Sequence, residues 1–77
     1  MKVTIYTKTG CPYCSRAIQL LANNNIYYKE YQLNPSQSNY TEKRNKLFRE
    51  SGHYSFPIVY FGNKLIGGCS ELEKHIN

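Results

Sequence analysis

Apolar and polar positions alternate from the start of the chain. Val3 and Ile5 are interleaved with Thr4 and Tyr6 in a stretch rich in β-formers, and residues 2–7 read as a strand. The alternation breaks at Thr9-Gly10-Cys11, and Pro12 follows where a helix would begin, because proline fits the first helical position. Cys14, Ala17, Ile18 and Leu21 then fall at i, i+3, i+4 and i+7, one apolar face of a helix running to about Asn23. Asn23-Asn24-Asn25 ends it, since asparagine tolerates the left-handed backbone of a helix C-terminus. Over residues 26–33 the strand period returns, with Tyr27, Tyr31 and Leu33 on one face.

Asn34-Pro35-Ser36-Gln37-Ser38 is a loop by composition. Asn39 stands where it would cap a second helix, with Glu42 completing a capping-box-like pair. Tyr40, Leu47 and Phe48 supply the buried side of that helix, and Gly52 its stop. Ile58 to Phe61 reads as the third strand, Gly62-Asn63 as a two-residue hairpin turn, and Lys64-Leu65-Ile66 as the return strand. Gly67-Gly68 turns the chain into a last short helix, where Ser70 and Glu73 have capping-box spacing. The expected order is β-α-β-α-β-β-α. Strand–helix–strand units favour parallel pairing and the hairpin adds an antiparallel pair, so the class is α/β with a four-stranded mixed sheet and three helices. No repeat or linker divides the chain, and residues 1–77 are expected to form one domain.

Composition narrows the functions. At 77 residues, 40% apolar and 19% charged, the chain is globular in type. Its longest apolar run, Ile58-Val59-Tyr60-Phe61, falls far short of a bilayer span, which argues against a membrane protein. The N-terminus carries no secretory apolar core, and the expected compartment is the cytoplasm. Ten Lys and Arg against five acids, all Glu, give a net charge of +5. The basic residues are scattered, without the one-sided concentration of a nucleic-acid footprint. A modest attraction for small anionic molecules is the economical reading.

The cysteines say more. Cys11 and Cys14 form a C-x-x-C pair and Cys69 stands alone, an odd count that argues against a disulfide framework. The pair is left with metal binding or redox chemistry. A closed zinc site wants three or four ligands, and Cys69, His53 and His75 lie at spacings that match no familiar pattern, so no metal is assigned. Placement after a strand and at a helix start favours redox. There, unpaired N–H groups and the helix dipole stabilise a thiolate, and cysteines so placed titrate at roughly pH 3.5–7.5. Cys14, one turn on and on the apolar face, is a poorer first nucleophile but near enough to attack a mixed disulfide. Cys11 is expected to attack and Cys14 to resolve.

Cys11-Pro12-Tyr13-Cys14 resembles the active-site motif of dithiol glutaredoxins. Lys8 stands three before the first cysteine as in that family's K-x-x-C, Ser55-Phe56-Pro57 resembles its T-V-P, and Gly67-Gly68-Cys69-Ser70-Glu71-Leu72 its G-G-C-S-D-L. The resemblance covers nearly the whole chain and implies a thioredoxin-like fold; the chain is expected to be a monomer. The implied activity is thiol–disulfide exchange with glutathione as co-substrate and no tightly bound cofactor. It also implies roles. Lys8 would stabilise the Cys11 thiolate or meet the ligand's glycine carboxylate, which Arg44 would contact with its planar fork. Pro57 would be cis, leaving the Phe56 backbone free to pair with the cysteine of glutathione. Gly68, Cys69 and Ser70 would present N–H groups to the γ-glutamyl carboxylate, with Ser70 also a possible helix cap. Glu71, in place of the usual Asp, would reach the ligand's ammonium less well, and Tyr13 would flank Cys11. Cys69 reads more readily as packing than as a third redox centre. Implied partners are glutathionylated or disulfide-bonded proteins, ribonucleotide reductase among them. Two alternatives stay open: a redoxin reduced directly by thioredoxin reductase, and an iron–sulfur or metal carrier joined at Cys11. Carriers of that kind typically have Gly-Phe between the cysteines and Ser at the second.

Overall fold

The alternation at the N-terminus becomes a strand whose odd positions, Val3, Ile5 and Thr7, are buried and whose even positions are half-exposed. The computed structural model describes residues 2–77; Met1, the first residue of the expected domain, lies outside them. Within that range the order is β1 (Val3–Lys8), α1 (Pro12–Asn23), β2 (Lys29–Leu33), α2 (Tyr40–Ser51), β3 (Ile58–Phe61), β4 (Lys64–Gly67) and α3 (Cys69–Ile76). The described strands form one mixed sheet in the order β2-β1-β3-β4. β1 pairs parallel with β2 and antiparallel with β3, and β4 closes the hairpin against β3. This is the thioredoxin-like architecture.

α1 and α3 cover one face of the sheet. Val3, Ile5 and Val59 from the strands meet Ala17 and Leu21 from α1 and Cys69 and Leu72 from α3 in a continuous core. Ile5, Leu21 and Leu72 are fully buried, each contributing roughly 1.5–3 kcal/mol relative to exposure. The other face carries the opposite register: Tyr6 pairs with Tyr31 and Ile58, and Lys8 with Leu33. Leu33 and Ile58 are buried there, while Tyr6 stacks on Tyr31 at 5.4 Å and meets Tyr60 edge-on at 6.2 Å. α2 lies over this face without burying any of its own residues. Among the described residues no helix is long and apolar enough to cross a membrane.

Four local expectations change. β1 spans 3–8, one residue later than the alternation suggests. β2 starts at Lys29, not at residue 26, and Tyr27 is 95% exposed. The reason is the end of α1: Asn25 takes a positive φ of 57°, the Ile26 N–H donates to the Leu21 carbonyl at 3.0 Å, and the chain reaches β1 only at Thr4 opposite Lys29. Asn39 makes no side-chain cap, because its φ of −95° and ψ of 8° are already close to helical; α2 does end at Gly52 in the left-handed conformation. The Ser70–Glu73 box does not form either. α3 begins at Cys69 with Gly68 as its N-cap, so Glu71, not Glu73, occupies the third helical position and folds back on the Gly68 N–H.

Candidate active site

β1 and the turn after it place Cys11 as the N-cap of α1, with an extended backbone at φ −105° and ψ 107°. Its sulfur accepts the Cys14 N–H at 3.3 Å, one of the donors that a helix start leaves unpaired. The Cys11 thiol also faces the Phe56 carbonyl at 3.9 Å. Cys11 is half-buried and Cys14 is 3% exposed. Burial, followed by the hydrogen bond with Cys11, pushes the Cys14 thiol up to about 12, although the Lys8 backbone and ammonium pull the other way. Both are free thiols, as is Cys69. One helical turn thus separates an accessible sulfur from a buried, protonated one.

Two hollows flank the accessible sulfur and meet at Tyr13, Ser55 and Phe56, which line both. The first, of about 450 Å³, gathers Lys8, Cys11 and Tyr13 with Arg44 and Phe48 of α2. The Arg44 guanidinium lies over the Tyr40 and Phe48 rings at 5.7 and 5.8 Å and donates to Asn45 Oδ1 at 3.3 and 3.1 Å, so its charge is aimed along α2. Phe48 in turn packs against Phe56 at 5.5 Å. The second hollow, of about 400 Å³, is lined by Tyr13, Phe56, Pro57 and the start of α3, where Gly68, Cys69 and Ser70 sit. The Phe56–Pro57 peptide is cis, as the resemblance implies. Tyr13 is 60% exposed, with the Arg16 guanidinium 5.7 Å above its ring. Cys14 faces neither of these; it lines a separate hollow behind Cys11 with Thr7, Lys8 and Glu30.

At the start of α3 the chain supplies its own acid. Glu71 Oε1 accepts the Gly68 N–H at 2.7 Å and Oε2 accepts the Ser70 hydroxyl at 2.9 Å. These two contacts hold its carboxyl below the usual range. The fold-back needs Gly67, with φ at 123°, since a Cβ there would stand 2.8 Å from Glu71 Cγ. Ser70 therefore neither caps the helix nor stands free, but braces Glu71. Burial pushes the Cys69 thiol up, so it lines the hollow as a protonated, packed group.

Apart from Cys14, which lines its own hollow, the residues singled out in the sequence lie around these two hollows, divided between them. Lys8, Cys11 and Arg44 stand on one side and Pro57, Gly68, Cys69 and Ser70 on the other, with Tyr13 and Phe56 shared. Sequence reasoning missed His53 and Arg16, which line the α3 side, and noted Ser55, which lines both hollows, only as part of the Ser-Phe-Pro segment. No local pattern marks His53 or Arg16; His53 entered the sequence reading only as a candidate zinc ligand. Among the described residues no three His, Cys, Asp or Glu side chains gather as a metal site.

A dithiol at a helix start on a thioredoxin-like sheet is the apparatus of a thiol–disulfide oxidoreductase. The glutaredoxin family model matches residues 3–66. Glutaredoxin 3 of Escherichia coli strain K12 is 34% identical over 70 residues, 91% of this chain and 80% of the relative. Among solved structures, the holo form of glutaredoxin C1 from Populus tremula x tremuloides superposes with a TM-score of 0.83 at 36% identity, over 96% of this chain and 73% of that one. The buckwheat glutaredoxin–glutathione complex gives 0.82 at 32% identity, over 96% of this chain and 67% of that one. The chain belongs to the glutaredoxin family.

Proposed function

We propose that this oxidoreductase draws its electrons from glutathione and reduces both protein–glutathione mixed disulfides and protein disulfides. The carrying observation is the contrast between the half-buried Cys11 sulfur, which accepts a helix N–H, and the buried Cys14 thiol one turn behind it. On a glutathionylated protein, the Cys11 thiolate attacks the glutathione sulfur and the protein leaves as its thiolate. A second glutathione thiolate then attacks the Cys11–glutathione disulfide, releasing oxidised glutathione and restoring Cys11. On a protein disulfide, Cys11 forms a mixed disulfide with the substrate, and Cys14, on losing its proton, attacks the Cys11 sulfur. The substrate's second thiolate is expelled, and two glutathiones reopen the Cys11–Cys14 bridge.

Glutathione brings two carboxylates and one ammonium, and the two hollows suit its two ends. Lys8 and Arg44 supply positive charge on one side for the glycine carboxylate. The Phe56 backbone before Pro57 offers the middle of the ligand a strand-like partner. Gly68, Cys69 and Ser70 offer the γ-glutamyl end the start of α3, and Tyr13 flanks Cys11. The buckwheat relative, solved as a glutathione complex, supports this assignment. The protein acts as a monomer of one domain in the cytoplasm, a compartment rich in glutathione. Glutathionylated and disulfide-bonded proteins are the substrates, with ribonucleotide reductase one candidate acceptor.

The test is an asymmetry. Cys11→Ser abolishes all turnover, whereas Cys14→Ser keeps deglutathionylation of a peptide mixed disulfide and loses reduction of a protein disulfide. Equal losses on the glutathionylated peptide would refute the division of roles. Running the assay with glutathione reductase against thioredoxin reductase separates this reading from a directly reduced redoxin, and turnover with the second reductase alone would sink it.

A further inference from the structure

The hollow at the start of α3 has an unusual charge balance for a place assigned to a carboxylate. Among the described residues lining it, Arg16 is the one permanent cation, set against Glu71 and Glu73. Glu71 already occupies the Gly68 N–H and the Ser70 hydroxyl, and because its carboxyl is held below the usual range it stays charged throughout the neutral and mildly acidic range. Unless another cation appears, an incoming carboxylate meets a wall short of positive charge. The remaining group able to supply it is His53.

His53 is placed for that task. Its backbone is pinned by Ser51, whose Oγ accepts the His53 N–H at 3.0 Å and donates to the His53 carbonyl at 3.2 Å. The ring is half-buried, with Nε2 3.3 Å from Ser55 Oγ. It leans against Gly68 so closely that a Cβ there would lie 3.1 Å from Nε2. Facing it across the hollow are Tyr13 and Arg16 from α1 and Cys69, Glu71 and Glu73 from α3, with Ser55 from its own segment. Of these, Glu71 and Glu73 are acids and Arg16 is a base, while Tyr13, Cys69 and Ser55 bring no charge at neutral pH.

We infer that His53 is a specificity-determining contact for the glutathionyl group, its imidazolium supplying the charge that holds a ligand carboxylate at the start of α3. The inference rests on the glutathione reading above. Histidine changes charge between about pH 5 and 8, so the hold on the ligand tightens as pH falls through that range.

S-Methylglutathione, which carries both carboxylates but no reactive thiol, is the probe, titrated by NMR at pH 5.8 and 7.8 and constant ionic strength. The wild-type Kd is expected to fall about two- to fivefold at the lower pH, the scale of a half-exposed ion pair. His53→Asn should bind with a Kd that does not change with pH, and His53→Lys, with its fixed charge, should bind tightly at both. The dimethyl ester of the probe should show no pH dependence with any of the three proteins. A flat wild-type profile, or a dependence that survives in His53→Asn, overturns the inference. Glutathione-coupled turnover of the wild type at pH 7.8, measured on the same preparation, tells the two failures apart. With turnover intact, a flat profile removes only His53; without turnover, the glutathione reading itself falls.

Discussion

The two faces of the sheet are built to different standards. On the α1–α3 face, seven buried residues from two strands and two helices form an unbroken core. On the α2 face, Leu33 and Ile58 are buried, the tyrosines around Tyr6 are half-exposed, and α2 contributes no buried residue of its own. The packed face carries the parts of the site that must hold still. The helix start at Cys11, the buried Cys14 and the start of α3 all grow out of it. The looser face carries Arg44, Phe48 and Tyr54, which wall the first hollow. In the function proposed above, chemistry that depends on a fixed sulfur and a helix dipole sits on the dense side, and recognition of a variable partner on the less densely packed one.

Substitutions sharpen or break that contrast. The largest effect belongs to Leu21→Ala, which opens a cavity in the dense core and should lower unfolding free energy by about 2–5 kcal/mol in urea titration. Leu47→Ala, at a half-buried position on α2, should lower it by about 1 kcal/mol or less. Equal losses would mean that the faces are not energetically different.

Alkali should act next, and mostly through the dense face. Cys14 keeps its proton to about pH 12 in the fold, against an ordinary value near 9, and burial also pushes Cys69 up. Raised values give stability that is fully present below the unfolded pKa and is lost as pH rises towards the folded one. Urea midpoints should therefore fall steadily from pH 9 upwards. Cys14→Ser should blunt that fall without removing it, since Tyr6 on the other face is also raised by burial and by Tyr31 and Tyr60. A Cys14→Ser protein as alkali-sensitive as the wild type would place the effect elsewhere.

The smallest effect tests the looser face. Arg44→Glu should weaken glutathione binding about fivefold at low salt and less at high salt, because a partly exposed charge is screened within a Debye length of roughly 10 Å at 0.1 M. An apparent affinity unchanged at low ionic strength would take Arg44 out of the first hollow's function.

What the sequence determined by itself was everything written in short-range chemistry. Period and punctuation gave the order of strands and helices, because burial on one face of an element imposes its own spacing on neighbouring residues. Pro12 and the C-x-x-C spacing likewise placed a nucleophile at a helix start, and Asn25 and Gly52 marked helix ends that the structure realises with positive φ. Tertiary structure decided what depends on residues far apart in the chain. Tyr27 continues an alternating pattern, yet β2 begins only where β1 is there to pair with it. Ser70 and Glu73 have a proper capping interval, yet the last strand hands over at Gly67, the helix starts two residues earlier than that interval requires, and Glu71 takes the cap. His53 carries no local signature at all; it faces the start of α3 because the turn after α2 brings it there. Local rules act through a residue's own neighbours, whereas a hollow is made of surfaces that only the completed fold brings face to face.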